Sequence, residues 1–215
     1  MNVVNRLLRL VFFAVVVRAV VLLVIGLHVR HRERLPMAGP AIVAGNHNSH
    51  LDTMVMMSLM PLRMLDRVRP VAAADYFLRG RFLTWFSLRI IGIVPIARQR
   101  VGEEDPLAAC REALEGGAVL IFFPEGSRGE PERLARFRGG IAKLAAACPE
   151  VPVTPVYTHG LGKALPKGEA LLVPFFADVF VGESLRGRDV EGDFLAALRD
   201  RMEGLRREGR FADWV

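Results

Sequence analysis

The sequence is short of several features that define common protein classes. It has only two cysteines in 215 residues, Cys110 and Cys148, which excludes a disulfide scaffold and favours a reducing, cytosol-facing compartment. It has no internal repeat, linker or low-complexity tract. Because 52% of its residues are hydrophobic, an intrinsically disordered chain is also excluded. The length is that of one ordinary domain, or of one domain with an appendage.

Several catalytic and binding motifs are missing as well. The sequence contains no His-Glu-x-x-His or paired-cysteine pattern, and we therefore predict no metal ion and no bound cofactor. It contains no Gly-x-Ser-x-Gly elbow, which disfavours an acyl-enzyme. Residues 160–163 have neither the spacing nor the Ser/Thr of a phosphate-binding P-loop. No basic patch interleaved with aromatic residues stands out, so we predict no nucleic-acid partner.

The net charge of +6 is concentrated at the start of the chain. Residues 1–35 hold six arginines against one glutamate, whereas the remaining residues hold 23 basic and 22 acidic side chains. Within this segment, Leu10 to Val29 reads LVFFAVVVRAVVLLVIGLHV, which as a helix is about long enough to cross a hydrocarbon core of about 30 Å. Basic residues around an apolar helix are typical of segments that bind anionic membrane surfaces.

The depth at which this segment enters the membrane depends on Arg18, which lies near its middle. An arginine at the bilayer centre costs about 2.5–3.5 kcal/mol on insertion scales, and arginines flank both ends of the segment. We favour a helix or a bent helical pair dipped into one leaflet, with Arg18 reaching the headgroups. A full span, a cleaved signal peptide and a buried core helix are the alternatives. Residues 77–91 mix aromatic residues with arginines and are either a second interfacial segment or a core helix.

From residue 36 onward, short β-rich runs alternate with helical patterns. This alternation predicts an α/β domain over residues 36–215, with a mixed, largely parallel sheet flanked by helices, after a membrane-associating helical segment over residues 1–35. The predicted strands cover residues 41–45, 68–74, 92–97, 118–123, 151–157 and 171–181. The predicted helices cover residues 50–60, 77–90, 105–115, 138–147 and 190–207. In such domains the functional loops follow the ends of strands.

The first candidate site follows the strand at 41–45 and reads NHNSHLD. His47 and Asp52 are five residues apart, which would place them about 140° apart on a continuous helix. They meet only if His47 lies in the turn before a helix that starts near Ser49, a typical N-cap residue. A carboxylate against the imidazole fixes its tautomer, so the pattern predicts a general base held by an acid.

Further candidates follow other strands. Residues 123–129 read FPEGSRG, a glycine-permitted turn that exposes the carboxylate of Glu125 and the guanidinium of Arg128. Arginine suits bidentate binding of a phosphate, and a surface ion pair on a turn is the alternative. The block GIVPIAR delivers a second arginine, Arg98, at a strand end. The block VPVTPV at residues 151–156 offers no titratable group, and we expect it to shape a wall of the site.

Taken in chain order, these four blocks resemble the glycerophospholipid acyltransferase family, which includes the 1-acylglycerol-3-phosphate acyltransferases. The family is identified by NHxSxxD, a glycine-to-arginine block, FPEGTR and V-P-x-x-P, and the counterparts here span residues 46–156. The residues that match the family motifs directly are His47, Asp52, Glu125 and Arg128. Asn48 stands where glutamine is common, Ser127 replaces threonine, and Pro95 replaces a usual aromatic residue in the block that ends at Arg98.

The resemblance implies a reaction in which a fatty acyl group moves from a thioester, acyl-CoA or acyl carrier protein, to the free hydroxyl of a lysophospholipid. The default acceptor is 1-acylglycerol-3-phosphate, and the expected location is the cytoplasmic face of the cell membrane. His47 would be the general base and Asp52 its orienting acid. The residues that would hold the phosphate and glycerol are Glu125, Gly126, Ser127, Arg128 and Arg98. Transfer to another lyso-lipid, such as a lyso-ornithine lipid, and a non-catalytic module that binds membrane lipids are the alternatives.

Overall fold

The computed structural model of the chain describes residues 2–23, 25–49, 51–97, 105–130, 132–164 and 175–211. Its strands are β1 Ile25–Arg30, β2 Ala41–Gly45, β3 Val68–Ala73, β4 Val94–Ile96, β5 Val119–Phe122, β6 Val153–His159 and β7 Phe175–Val181. They form one sheet in the order β1-β7-β6-β2-β5-β3-β4. Every strand pair is parallel except β6–β7, which confirms the predicted mixed, largely parallel sheet.

The direction of the strands decides which loops meet. Because β2, β5 and β6 run the same way, their last residues lie along one side of the sheet, which we call the carboxyl edge. β7 runs against β6, and β1 runs with β7, so those two strands begin at the carboxyl edge. The loops that follow β2 and β5 and the end of β6 therefore adjoin one another, as is usual for the functional edge of an open α/β sheet.

Helices cover both faces of the sheet. They are α1 Val3–Val11, α2 Arg18–Leu23, α3 Leu51–Leu59, α4 Ala74–Phe77, α5 Arg81–Trp85, α6 Ala108–Glu115, α7 Gly140–Ala147, α8 Leu161–Ala164 and α9 Phe194–Glu208. One apolar core includes α3 and the N-terminal helices with Val43 of β2. The other includes α6, α7 and α9 with Ile42 and Ala44. Because alternate residues of β2 face two cores, the strand is apolar throughout.

The N-terminal helix starts and ends earlier in the chain than the sequence predicts. A π-helical turn, Phe12–Val17, joins α1 to α2, so helix runs over residues 3–23, but residues 25–30 pair with β7 and form β1. The part of the prediction that extended the helix to Val29 is therefore wrong. The buried side chains of this helix repeat every fourth residue, and they are Arg9, Phe13, Val17 and Val21. Four α-helical residues turn through about 400°, and the wider π-helical turn takes up the excess.

Arg9 departs from its predicted place among charges that face the headgroups. It is buried, and its Nη2 donates to the carbonyl oxygen of Val68 at 2.8 Å. Its guanidinium occupies the space that a Cβ atom on Gly92 would take. Burial, and secondly the charge of Arg69, lower the pKa of Arg9 to about 10, while Asp66 opposes the shift. The side chain thus ties the N-terminal helix to the sheet.

The predicted helix over residues 77–90 is also interrupted. α4 ends at Phe77, and α5 starts at Arg81 after a turn in which Gly80 has a φ of +77°. A second π-helical turn, Phe86–Ile91, extends α5. Within the described ranges, no helix combines the length and the apolar character needed to cross a membrane. The remaining predicted strands and helices are found within a few residues of their predicted ends, and residues 171–174 of the last predicted strand lie outside the described ranges.

Candidate active site

The predicted histidine and aspartate meet at the carboxyl edge. His47 lies in the turn between β2 and α3, and Asp52 lies in the first turn of α3. The Nδ1–H of His47 donates to Oδ2 of Asp52 at 2.9 Å. The same oxygen accepts the backbone N–H groups of Asn48 at 2.6 Å and Ser49 at 2.8 Å. Three donors thus converge on one oxygen of a carboxylate that is 0% exposed, and the bond through Nδ1 leaves Nε2 of His47 available to accept a proton.

The sequence around β2 explains why the turn forms there. A Cβ atom on Gly45 would overlap the end of the Met56 side chain, so the glycine lets α3 pack close to the end of the strand. The buried amide of Asn46 donates to the Thr158 carbonyl at 2.8 Å and accepts its backbone N–H at 2.7 Å. These two hydrogen bonds join the ends of β2 and β6 and fix the position of Asn46, the residue that precedes His47.

The glutamate of the second motif faces inward, so the prediction that the turn exposes its carboxylate is wrong. Glu125 is 3% exposed, its Oε1 accepts the backbone N–H of His47 at 3.0 Å, and its Oε2 accepts that of Ala135 at 3.3 Å. Burial raises the pKa of the Glu125 carboxyl above its ordinary value, and the two N–H groups partly oppose the rise. Its carboxylate therefore joins the loop after β2 to the loop after β5.

The other residues of the second motif turn outward. Gly126 has a φ of +72°, a conformation that favours glycine, and it is exposed together with Ser127, while Arg128 is half-buried. The next residue, Gly129, donates its N–H to the carbonyl oxygen of His47 at 2.9 Å. The loop that carries Ser127 and Arg128 thus runs alongside the backbone of His47. Arg98, the remaining predicted binding residue, lies outside the described residues.

The loop after β5 has two further attachments that the sequence did not indicate. Arg138 donates from Nε to the carbonyl oxygen of Glu125 at 3.2 Å. Arg199 of α9 donates to the carbonyl oxygens of Ala135 at 3.0 Å and Leu134 at 3.3 Å. Arg199 therefore holds the loop against α9, whereas Arg138 bonds the two ends of the loop to each other.

Several residues of this site were not singled out by the sequence. Asn46 and Phe123 lie inside the two motifs, and the Phe123 ring stacks on His47 with centroids 4.1 Å apart, so their positions beside the strand ends were the available signal. Arg138 follows the end of the second motif by nine residues, without any pattern of its own. Among the residues that the structure describes, no group of three or more His, Cys, Asp or Glu side chains is arranged to hold a metal ion.

Comparison with known proteins identifies similar chains. Residues 26–159 match the family model described as Acyltransferase. A chloroplastic 1-acyl-sn-glycerol-3-phosphate acyltransferase of Arabidopsis thaliana is 33% identical over 138 residues, which are 63% of this chain and 36% of that protein. The human 1-acyl-sn-glycerol-3-phosphate acyltransferase alpha is 28% identical over 180 residues, 83% of this chain and 61% of that protein. The chain thus spans little more than a third of the length of the plant relative.

The fold is shared with a crystal structure. That structure is the 1-acyl-sn-glycerophosphate acyltransferase PlsC of Thermotoga maritima, and the likeness has a TM-score of 0.76. It covers 96% of this chain and 80% of the other, at 21% sequence identity. At that identity the likeness concerns the fold of the chain, and the chemistry is inferred from the residues of the site.

Proposed function

The chain belongs to the Acyltransferase family, and from this premise we propose that it moves a fatty acyl group from an acyl thioester to the free hydroxyl of a lysophospholipid, with 1-acylglycerol-3-phosphate as the acceptor. The observation that carries the proposal is the bond from Nδ1 of His47 to the buried Asp52. It leaves one ring nitrogen free beside a loop that carries Ser127 and Arg128. The relatives named for this reaction support the choice of acceptor.

In the proposed mechanism, Nε2 of His47 accepts the proton of the acceptor hydroxyl as its oxygen attacks the thioester carbonyl carbon. Asp52 stabilises the imidazolium that forms. When the tetrahedral intermediate collapses, the carbon–sulfur bond breaks, and the thiolate takes the proton back from His47. The new ester bond and the free thiol balance the reaction. General-base assistance of this kind is typically worth about 10²–10⁴ in rate.

The acceptor would be held by the residues beside His47. Arg128 suits bidentate binding of the phosphate, Ser127 offers a hydroxyl to the phosphate or glycerol, and Arg98 is proposed as a second cation. Glu125 and Gly126 would act by shaping this loop, since the carboxylate of Glu125 is occupied by backbone N–H groups. We propose acyl-CoA or acyl carrier protein as the donor, with no metal ion and no other cofactor.

We also propose that the chain works at the cytoplasmic face of the cell membrane. The solvent-facing side of the helix over residues 3–23 is apolar, with Val15 61% exposed and Leu23 83% exposed. This surface continues onto the second segment, because Phe12 packs edge-on against Phe86 with centroids 5.4 Å apart, and Phe82, 74% exposed, lies next to Phe86. Exposed apolar patches of this kind mark membrane or protein contacts, and the interspersed arginines favour anionic lipid.

The transfer reaction is tested with labelled acyl-CoA and labelled acyl carrier protein, each offered with lysophosphatidic acid, lysophosphatidylcholine and a lyso-ornithine lipid. We expect phosphatidic acid from the unaltered chain and a loss of about 10²–10⁴ in turnover for His47→Ala. His28→Ala is the matched control, because His28 is also bonded to an aspartate but lies exposed on β1. Thioester loss without a lipid product would indicate a thioesterase, and unaltered transfer by His47→Ala would refute the mechanism.

Membrane binding is tested by sedimentation with vesicles of phosphatidylcholine and phosphatidylglycerol. Point variants are needed because removal of residues 1–35 would also remove β1. We expect Leu7→Glu combined with Val15→Glu to release the chain from the vesicles. Ala146→Glu combined with Ala147→Glu adds the same charge at exposed positions of α7, which packs on the opposite face of the sheet, and should leave binding unchanged. Equal binding by both double variants would contradict the proposed surface.

A further inference from the structure

Glu132 and His159 form a pair of titratable side chains at the carboxyl edge that the mechanism does not use. We propose that they are positioning residues: together they fix the loop of residues 125–138, which carries the acceptor-binding arginine, and thereby set the affinity for a phosphate-bearing lysolipid. The identity of the acceptor rests on the proposed function. The attachment of the loop rests on the structure alone.

The geometry of Glu132 shows how the loop is held. Nδ1 of His159 and Oε2 of Glu132 lie 2.6 Å apart, and their side chains are only 12% and 9% exposed. The other carboxylate oxygen of Glu132 accepts the backbone N–H of Gly160 at 2.9 Å, and its carbonyl oxygen accepts the Tyr157 hydroxyl at 3.4 Å. Glu132 is thus held at the end of β6 by two hydrogen bonds, with Tyr157 and Gly160, and by the close charged contact with His159.

The backbone conformation of Glu132 and the cover over the pair also indicate that its position is fixed. Glu132 has a φ of +64°, a left-handed conformation that is uncommon for a residue with a side chain and that persists only where surrounding contacts enforce it. The ring of Phe211 stacks on His159 with centroids 3.6 Å apart and planes 6° apart, so the pair is covered by a residue that follows α9. The strained backbone of Glu132 and the burial of its contact with His159 together indicate that surrounding contacts hold Glu132 in one conformation.

The loop is attached at three points around the acceptor-binding residues. Glu125 and Gly129, which lie on either side of Arg128 in the chain, bind the backbone of His47. Three residues after Gly129, Glu132 binds the end of β6, whose Thr158 is itself bonded to Asn46. Loss of the Glu132 attachment would loosen the part of the loop that follows Gly129, and with it the position of Arg128, while the catalytic pair stayed in place.

The charge distribution of the loop gives the pair a second consequence. Four arginines lie on it, at positions 128, 133, 136 and 138, against three acids, Glu125, Glu130 and Glu132. Glu130 pairs with Arg133 on the surface. Because the carboxylate of Glu132 lies against His159, it does not neutralise Arg128. The loop is thereby left basic enough to bind a phosphate.

The effect on binding follows from the fraction of molecules whose loop is in place. If that fraction falls to about a tenth, the apparent affinity for the acceptor falls about tenfold. We therefore expect Glu132→Gln, and likewise His159→Phe, to raise KM for lysophosphatidic acid about tenfold, with kcat and the thioester KM changed by less than about threefold. The double variant should have a KM for lysophosphatidic acid no higher than that of the more impaired single variant, because both substitutions remove the same contact. Glu130→Gln, which removes an exposed acid of the same loop, is the control.

Two measurements that need no turnover accompany the kinetics. Equilibrium binding of lysophosphatidic acid should weaken about tenfold in Glu132→Gln. Hydrogen exchange should quicken in the amides of residues 126–136, with the amides of β2 and α9 unchanged. If the unaltered chain were inactive, the proposed function would be refuted. Binding and hydrogen exchange would still show whether Glu132 and His159 position the loop. The proposal is overturned if Glu132→Gln behaves like Glu130→Gln, if kcat falls while KM and binding are unchanged, or if the two single effects add.

Discussion

The contact between His47 and Asp52 permits a substitution that separates charge from geometry. All three donors to the carboxylate converge on Oδ2, and Oδ1 is buried with no hydrogen-bond partner among the described residues. An asparagine with its carbonyl oxygen in the place of Oδ2 keeps all three bonds and the histidine tautomer. Asp52→Asn therefore removes the negative charge and leaves the position of the imidazole unchanged.

The expected loss can be worked out from this geometry. In the transition state the imidazolium charge is centred about 4 Å from the carboxylate, where two unit charges interact by about 4 kcal/mol at an effective dielectric constant of about 20. Loss of that interaction corresponds to a decrease of about 10³ in kcat. The amide nitrogen of the asparagine takes the place of the unpartnered Oδ1, and an unsatisfied buried donor costs about 1–3 kcal/mol of the free energy of unfolding.

The assay is the steady-state rate of lipid formation, read beside urea denaturation of the same preparation. Asp178→Asn is the matched control, because Asp178 accepts a bond from His28 at 3.0 Å on the surface of the sheet. We expect that control to keep both rate and stability. If Asp52→Asn retained more than about a tenth of kcat, the charge of Asp52 would contribute less than about 1.4 kcal/mol, and the proposed stabilisation of the imidazolium would be refuted.

Three further predictions concern buried groups. Burial raises the pKa of Cys110 to about 12, so thiol labelling of the folded chain, followed by mass spectrometry, should modify Cys148 before Cys110; the reverse order would contradict this. Arg9→Met keeps the buried volume, whereas Arg9→Ala leaves a cavity. In urea denaturation the alanine variant should therefore be less stable than the methionine variant by about 2 kcal/mol. Equal stability of the two variants would contradict this, because it would show that the surrounding side chains fill the cavity. Burial raises the pKa of Glu125 above its ordinary 4.5, so the folded state binds this proton more tightly than the unfolded state does. The free energy of unfolding should therefore fall as pH rises from about 4.5 through the pKa of the folded state. Glu125→Gln should lose this part of the pH dependence, and an unchanged pH dependence of stability in the variant would refute the prediction.

The sequence contained enough information to place the central strands and the candidate catalytic pair. β2 was predicted at its observed bounds, because a short apolar run bounded by turn residues is a strong signal for a buried strand. The meeting of His47 with Asp52 followed from their spacing and from the position of the turn. Both signals are local, since the residues involved are within six positions of one another.

The features that the sequence did not indicate depend on contacts distant along the chain. β1 follows directly on an apolar run, and hydrophobicity alone does not separate the end of a helix from a half-exposed strand; its pairing with β7 decides the matter. The burial of Arg9 depends on the carbonyl of Val68, 59 residues away. Glu132 and His159 belong to no motif and are brought together by the loop after β5 and the end of β6.

The pairing of β1 with β7 has a consequence for biosynthesis. His28 and Asp178, which face each other in this pair, are 150 residues apart. At about 5–20 residues per second, a ribosome needs on the order of 8–30 s to make the stretch between them. Until then β1 has no neighbouring strand, although the apolar helix before it has already emerged. The edge strand β1 is thus synthesised early but gains its partner strand late. Throughout that interval its unpaired backbone N–H and C=O groups can pair with other strands.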